Sequence, residues 1–196
     1  MKIESKVWEV LRKRQITLAV AESCTGGLIS SRITDISGSS KYFKMGLVAY
    51  SNLIKENILG VSFRHCEQPK GVVSSVIARR PKADEAPRLS SGLRPELLPK
   101  DEAISKQVAL TMAEGVRRLA GTDIGVGVTG IAGPTGGTKK KPVGLVYIAL
   151  VTNKKRIVKE FRFKGSRLQI KSRTTQAALR LILQTVMPAK AGIQNI

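Results

Sequence analysis

Apolar positions along the chain change their period several times, and each change marks an element. Between Glu4 and Gln15 the residues Val7 and Leu11 recur at helical spacing, so the chain opens with a helix. Residues 16–21, Ile-Thr-Leu-Ala-Val-Ala, form a short, apolar, β-branched run of the kind that makes a buried strand. This run passes straight into Glu22-Ser23-Cys24-Thr25-Gly26-Gly27. Leu28, Ile29, Arg32, Ile33 and Ile36 then return to helical spacing, until Ser37-Gly38-Ser39-Ser40 ends it. Residues 44–50 read as the next strand, followed by a helix that Ser51 caps and Gly60 stops. Val108, Met112, Val116 and Leu119 predict a strongly amphipathic helix from Ser105 to Gly121. Residues 123–129, 143–152 and 156–163 read as three strands, the last two a hairpin around Asn153-Lys154, and residues 167–186 as a closing helix.

Strands alternate with helices early in the chain and cluster late. That order predicts an α/β fold, a three-layer α/β/α domain over residues 1–186 with a mixed sheet. Residues 62–94 break the pattern, with Pro69, Pro81, Pro87 and Pro95 in or beside them, and are expected to be a disordered or irregular insertion on the surface. Residues 187–196 are expected to be an irregular tail.

Composition changes this picture in one respect. Hydrophobic residues at 42% and charged residues at 24% are ordinary for a soluble domain, but 34 Lys and Arg against 14 acids leave a net charge of +20. A field of that sign suits nucleic acid, an anionic membrane or a phosphorylated small molecule. The basic residues are spread over the whole chain and aromatics make up only 4%, which argues against a dedicated nucleic-acid arm or base-stacking platform. No apolar run approaches the roughly 18 to 20 residues that span a bilayer, so no membrane is expected. Two cysteines, Cys24 and Cys66, and no signal-type start point to the reducing cytoplasm. No His, Cys or carboxylate spacing resembles a metal site, and neither metal nor cofactor is expected.

Two glycine-rich stretches carry candidate chemistry. Gly125-Val-Gly127-Val-Thr-Gly130 matches the dinucleotide-binding pattern letter for letter, yet it lies inside a predicted strand and leads into a Pro/Gly loop where a helix is required. The loop from Gly130 to Thr138 lacks a P-loop ending; its glycines would still let backbone N–H groups approach an anion, or they form a plain turn. Ser23 is more telling, because it sits where a strand turns into a helix. Gly26 and Gly27 leave that helix start open, so backbone N–H groups and the positive end of the helix could hold an oxyanion there. A capped turn without catalysis fits the same residues. Cys24 is an alternative nucleophile, or a small buried residue. The lone His65 falls in the irregular stretch, which leaves Lys55 and Tyr50 as candidate bases, Lys55 if burial lowers its pKa.

Taken together, residues 18–27 (LAVAESCTGG), 46–55 (GLVAYSNLIK), 103–105 (AIS), 128–134 (VTGIAGP), 136–138 (GGT) and 141–144 (KPVG) resemble the CinA C-terminal domain family, which includes free-standing nicotinamide-nucleotide amidohydrolases. The resemblance implies hydrolysis of nicotinamide mononucleotide to nicotinate mononucleotide and ammonia. It places a serine nucleophile at Ser23, assisted by Lys55 and Tyr50. Thr25, Gly26, Gly27, Gly133, Gly136, Gly137, Thr138 and Arg167 would contact the nucleotide substrate. A homo-oligomer is also implied. Where the family often has Gly-Asp-Arg and a further Arg, this chain has Gly165-Ser166-Arg167 and Lys171. A basic nucleic-acid-binding protein and a family member silenced by the insertion are the competing readings.

Overall fold

The computed structural model describes residues 2–62 and 103–187. Helices α1 (Ile3–Arg14), α2 (Leu28–Thr34), α3 (Asn52–Leu59), α4 (Lys106–Ala120) and α5 (Arg167–Val186) enclose strands β1 (Leu18–Glu22), β2 (Phe43–Val48), β3 (Ile124–Gly130), β4 (Leu145–Val151) and β5 (Arg156–Arg162). The strands form one sheet in the order β2-β1-β3-β4-β5. β1 runs parallel to both β2 and β3, whereas β4 and β5 are antiparallel, giving the expected mixed sheet. Predicted elements reappear within two residues at most ends. The expected insertion, apart from Ser62, and the tail beyond Met187 lie outside the described residues, as do His65 and Cys66.

Side chains alternate across the sheet, so each strand feeds two cores. Leu18, Val20, Val126 and Val128 point to one face and pack with Val7 and Leu11 of α1, Ile29 and Ile33 of α2, and Ile170, Leu179 and Ile182 of α5. Ala19 and Ala21 point to the other, where Leu59 of α3 and Val108, Met112 and Val116 of α4 cover them. On this second face Gly125 and Gly127 of that glycine pattern find their purpose. A Cβ on Gly125 would stand 2.1 Å from the carbonyl oxygen of Ala113, and one on Gly127 would stand 2.2 Å from that of Ala109. Both positions therefore hold glycine so that the α4 backbone can lie directly on β3.

Helix ends follow the chemistry read from the sequence. Ser51 Oγ accepts from Ile54 N–H, Ser105 Oγ from Val108 N–H, and Ser166 forms a full capping box with Gln169. Gly60 and Gly121 close α3 and α4 in the left-handed conformation. Between β4 and β5, Thr152 turns the hairpin: its Oγ1 accepts from the N–H groups of Lys154 and Lys155.

Candidate active site

Parallel strands β1, β2 and β3 deliver their carboxyl ends to the same edge of the sheet. β1 continues into α2 on one face, while β2 continues into α3 on the other. A crevice opens at that divergence, the place where open α/β sheets bind ligands. It encloses about 220 Å³ between Ser23 and Cys24 after β1, Tyr50 after β2, Ile104, the Gly130–Gly136 segment after β3, and Arg167 at the start of α5. A larger groove of about 470 Å³ between β5 and α5 is lined by Lys159, Phe161, Phe163, Arg173 and Arg180 among others, and contains no nucleophile.

Ser23 is buried to 8% exposure and is held in place by its own backbone. Its N–H donates to Val128 O, extending the β1–β3 ladder by one residue, and its carbonyl accepts from Gly26 N–H to close a tight turn. Glu22, one residue earlier, locks that turn from beneath. Its fully buried carboxylate accepts from Ile29 N–H at 3.1 Å, Ser30 N–H at 2.8 Å and Ser30 Oγ at 2.6 Å, while its carbonyl accepts from Ala49 N–H beside Tyr50. This corrects one expectation. The positive end of α2 is already occupied by a carboxylate, so it has no N–H groups of Ile29 or Ser30 to offer an oxyanion. The Ser23 and Gly26 N–H groups are committed as well.

Lys55 points inward from α3 and is only 4% exposed. Burial lowers its pKa below the ordinary 10.5, the direction a proton acceptor needs, and the nearby Cys24 thiol opposes that shift. Its Nζ donates to Asn52 Oδ1 at 3.5 Å, one turn back on the same helix. Lys55 lies near enough to Cys24 for the two to interact electrostatically, but it does not line the crevice, and among the described residues no hydrogen bond joins it to Ser23. Cys24 is buried, and burial pushes its thiol up to about 12, so it holds its proton and is a poor nucleophile beside Ser23. Tyr50 is exposed at the crevice mouth, and its hydroxyl accepts from Arg167 Nη2, while Arg167 Nη1 donates to Gly133 O at 2.7 Å.

Ser23, Tyr50, Gly133, Gly136 and Arg167 thus meet around one crevice. Thr25 is fully buried in the turn, and Gly26 and Gly27 adopt positive φ of 60° and 90° there, which shapes the turn. Gly137 is exposed, and Thr138 is engaged in a local turn in which its N–H donates to Lys141 O and its Oγ1 accepts from Lys141 N–H. Two contributors escaped the sequence reading: Glu22, whose signal was an acid just before a helix start, and Asn52, three residues before Lys55 on one helix. Among the described residues no group of His, Cys, Asp and Glu could hold a metal ion, and no helix is long and apolar enough to cross a membrane.

The family model of the CinA C-terminal domain matches residues 1–91 and 83–186. The chain belongs to the CinA C-terminal domain family. A CinA-like protein of Syntrophus aciditrophicus is 43% identical over 181 residues, covering 92% of this chain and 36% of the relative. Another CinA-like protein, from Geobacter sulfurreducens, is 42% identical over 187 residues, covering 95% and 38%. This CinA C-terminal domain therefore spans little more than a third of the length of those curated relatives. Its fold is shared with the crystal structure of the competence/damage inducible protein CihA from Agrobacterium tumefaciens, at 30% identity and a TM-score of 0.72, covering 94% of this chain and 96% of that one.

Proposed function

We propose that this chain is an amidohydrolase that converts nicotinamide mononucleotide to nicotinate mononucleotide and ammonia, with Ser23 as nucleophile. The observation that carries the reading is a buried amine, Lys55, on the helix that follows β2, at the carboxyl edge of the sheet where β1 ends in the Ser23 turn. A lysine that is buried without a carboxylate partner loses part of its preference for the charged form, and neutral amine is what a serine proton requires.

In this mechanism Ser23 Oγ attacks the carboxamide carbon as its proton passes to Lys55 Nζ. Tyr50 lies between crevice and solvent, where its hydroxyl relays or steadies that proton. The tetrahedral intermediate collapses when the carboxamide nitrogen receives a proton from Lys55, breaking the C–N bond and releasing ammonia. Water then attacks the Ser23 ester, gives its proton to Lys55, and frees the carboxylate and the serine. Gly133 and Gly136 bring backbone to the crevice wall without side chains, leaving room for the flat pyridine ring. No metal or cofactor takes part.

Ammonia release from nicotinamide mononucleotide by the full chain tests the reading. Wild type and Cys24→Ala are expected to turn over, and Ser23→Ala is expected to lose at least about 10³-fold, the scale for loss of a nucleophile. Equal rates for wild type and Ser23→Ala would overturn it.

A further inference from the structure

Folding gathers on one face what the sequence keeps apart. Helix α5 packs against β4 and leaves the same face of the edge strand β5 open, so a groove of about 470 Å³ runs between them. Its strand side is Lys159, Phe161 and Phe163, which alternate onto this face. Its helix side is a stripe at helical spacing, Arg173, Ala177, Arg180, Leu181 and Gln184, about 16 Å from end to end. The two phenylalanine rings, half of the chain's four, stack at 5.4 Å with their planes 9° apart and stay partly exposed. Among the described residues no Asp or Glu lines the groove. Glu160 alternates to the opposite face and pairs with Arg162. Lys159 donates to Gln184 Oε1 at 3.4 Å and Arg173 to Lys164 O, both neutral acceptors, and Arg180 makes no hydrogen bond or ion pair among the described residues. All three charges therefore remain for a ligand.

We infer that this groove is a binding site for single-stranded nucleic acid, separate from the Ser23 crevice. Cations placed along an extended groove neutralise successive phosphates, and exposed aromatic rings offer a stacking surface to bases. A duplex keeps its bases inside and would leave the rings idle; an acidic peptide would use the cations but has no flat groups to lay on the rings. The net charge of +20 draws any polyanion from a distance, and the groove adds the ring pair. An aromatic content of 4% argues against a stacking platform along the chain; two rings brought side by side in a basic groove are enough to make one. The inference does not depend on the amidase reading, since no groove residue lines the crevice.

The test is fluorescence anisotropy with the full chain, using labelled oligothymidylate and oligouridylate of about 15 nucleotides and a duplex of the same length. Wild type is expected to bind the single strands more tightly than the duplex. The two single strands separate DNA from RNA as the source, and tight binding of either supports the site. Lys159→Gln combined with Arg180→Gln should weaken single-strand binding and flatten the slope of log affinity against log salt by about 1.4, the share of two phosphate contacts. A control on the far side of the sheet, Lys106→Gln combined with Arg118→Gln, removes the same charge from α4 and should leave that slope near wild type. Phe161→Leu keeps an apolar side chain and removes the ring; it should cost at least ~5-fold in affinity at unchanged salt slope. Circular dichroism melting checks that each variant is folded, and the exposed Lys159 and Arg180 pair carries the test should Phe161→Leu fail to fold. Equal losses in the groove and control pairs overturn the inference. So does a duplex bound as tightly as a single strand, displacement by a polyglutamate of equal charge as effective as by unlabelled oligonucleotide, or no binding near physiological salt.

Discussion

Glu22→Gln is the most informative single substitution, because it keeps the shape of the buried side chain and changes only what its atoms offer. The carboxylate accepts three hydrogen bonds: two from Ser30, through N–H and Oγ, and one from Ile29 N–H. In the glutamine variant the remaining oxygen can face both Ser30 donors, which turns the new NH2 toward Ile29 N–H. One bond is then lost and two donors oppose each other in a dry site, worth about 1–3 kcal/mol. The two surviving bonds lose their charge assistance, roughly 1 kcal/mol each. Relief from burying a charge returns part of this, so the net loss is expected near 2–4 kcal/mol. A domain of ordinary stability, roughly 5–15 kcal/mol, stays folded after such a loss. Urea unfolding should show a lower midpoint at unchanged slope, and ammonia release at 25 °C should fall as the turn loosens. A variant within about 0.5 kcal/mol of wild type would show that the carboxylate does not hold the turn, and would refute this reasoning.

Gly127→Ala would drive a methyl into the Ala109 carbonyl and the Ala113 N–H, both backbone of α4, which has no rotamer to escape by. The expected loss is about 1–3 kcal/mol, or a melting temperature lower by roughly 3–10 °C, measurable by circular dichroism. Activity should rise with pH on the limb that Lys55 governs, because the neutral amine is the working form and its pKa lies below 10.5. Stability should rise over the same window, between the lowered folded value and 10.5, since there the unfolded chain binds the proton that the folded chain has given up. Lys55→Met should abolish both dependences, and a kcat/KM profile that falls with pH in that range would contradict the assignment.

Much of the architecture was legible in the chain, for physical reasons that differ between elements. Helices α3, α4 and α5 carry their own serine caps, and α3 and α4 their own stop glycines, so their bounds could be read locally. The strands announce themselves as apolar runs, but which face each side chain meets depends on partners distant in sequence. Hence the reason for Gly125 and Gly127 became clear only with α4 laid against them. Around the site, Ser23 could be found from its strand-to-helix turn. Glu22 was harder, because a carboxylate beside a helix start looks like a surface residue until the three donors from Ile29 and Ser30 close around it. The burial of Lys55 is a tertiary fact: its helix also presents polar residues, and nothing local says which side turns inward.

The positions of the functional groups also divide the labour of the molecule. Ser23, Tyr50 and Lys55, the groups that would move protons and electrons, all come from the first 62 residues, whereas Gly133, Gly136 and Arg167, which line the crevice, all come after residue 102. Under the proposed function, reactivity and choice of substrate are thus written in separate stretches of the chain. Randomising the later stretch while keeping the earlier one fixed should therefore redirect this scaffold to other carboxamides without rebuilding its nucleophile.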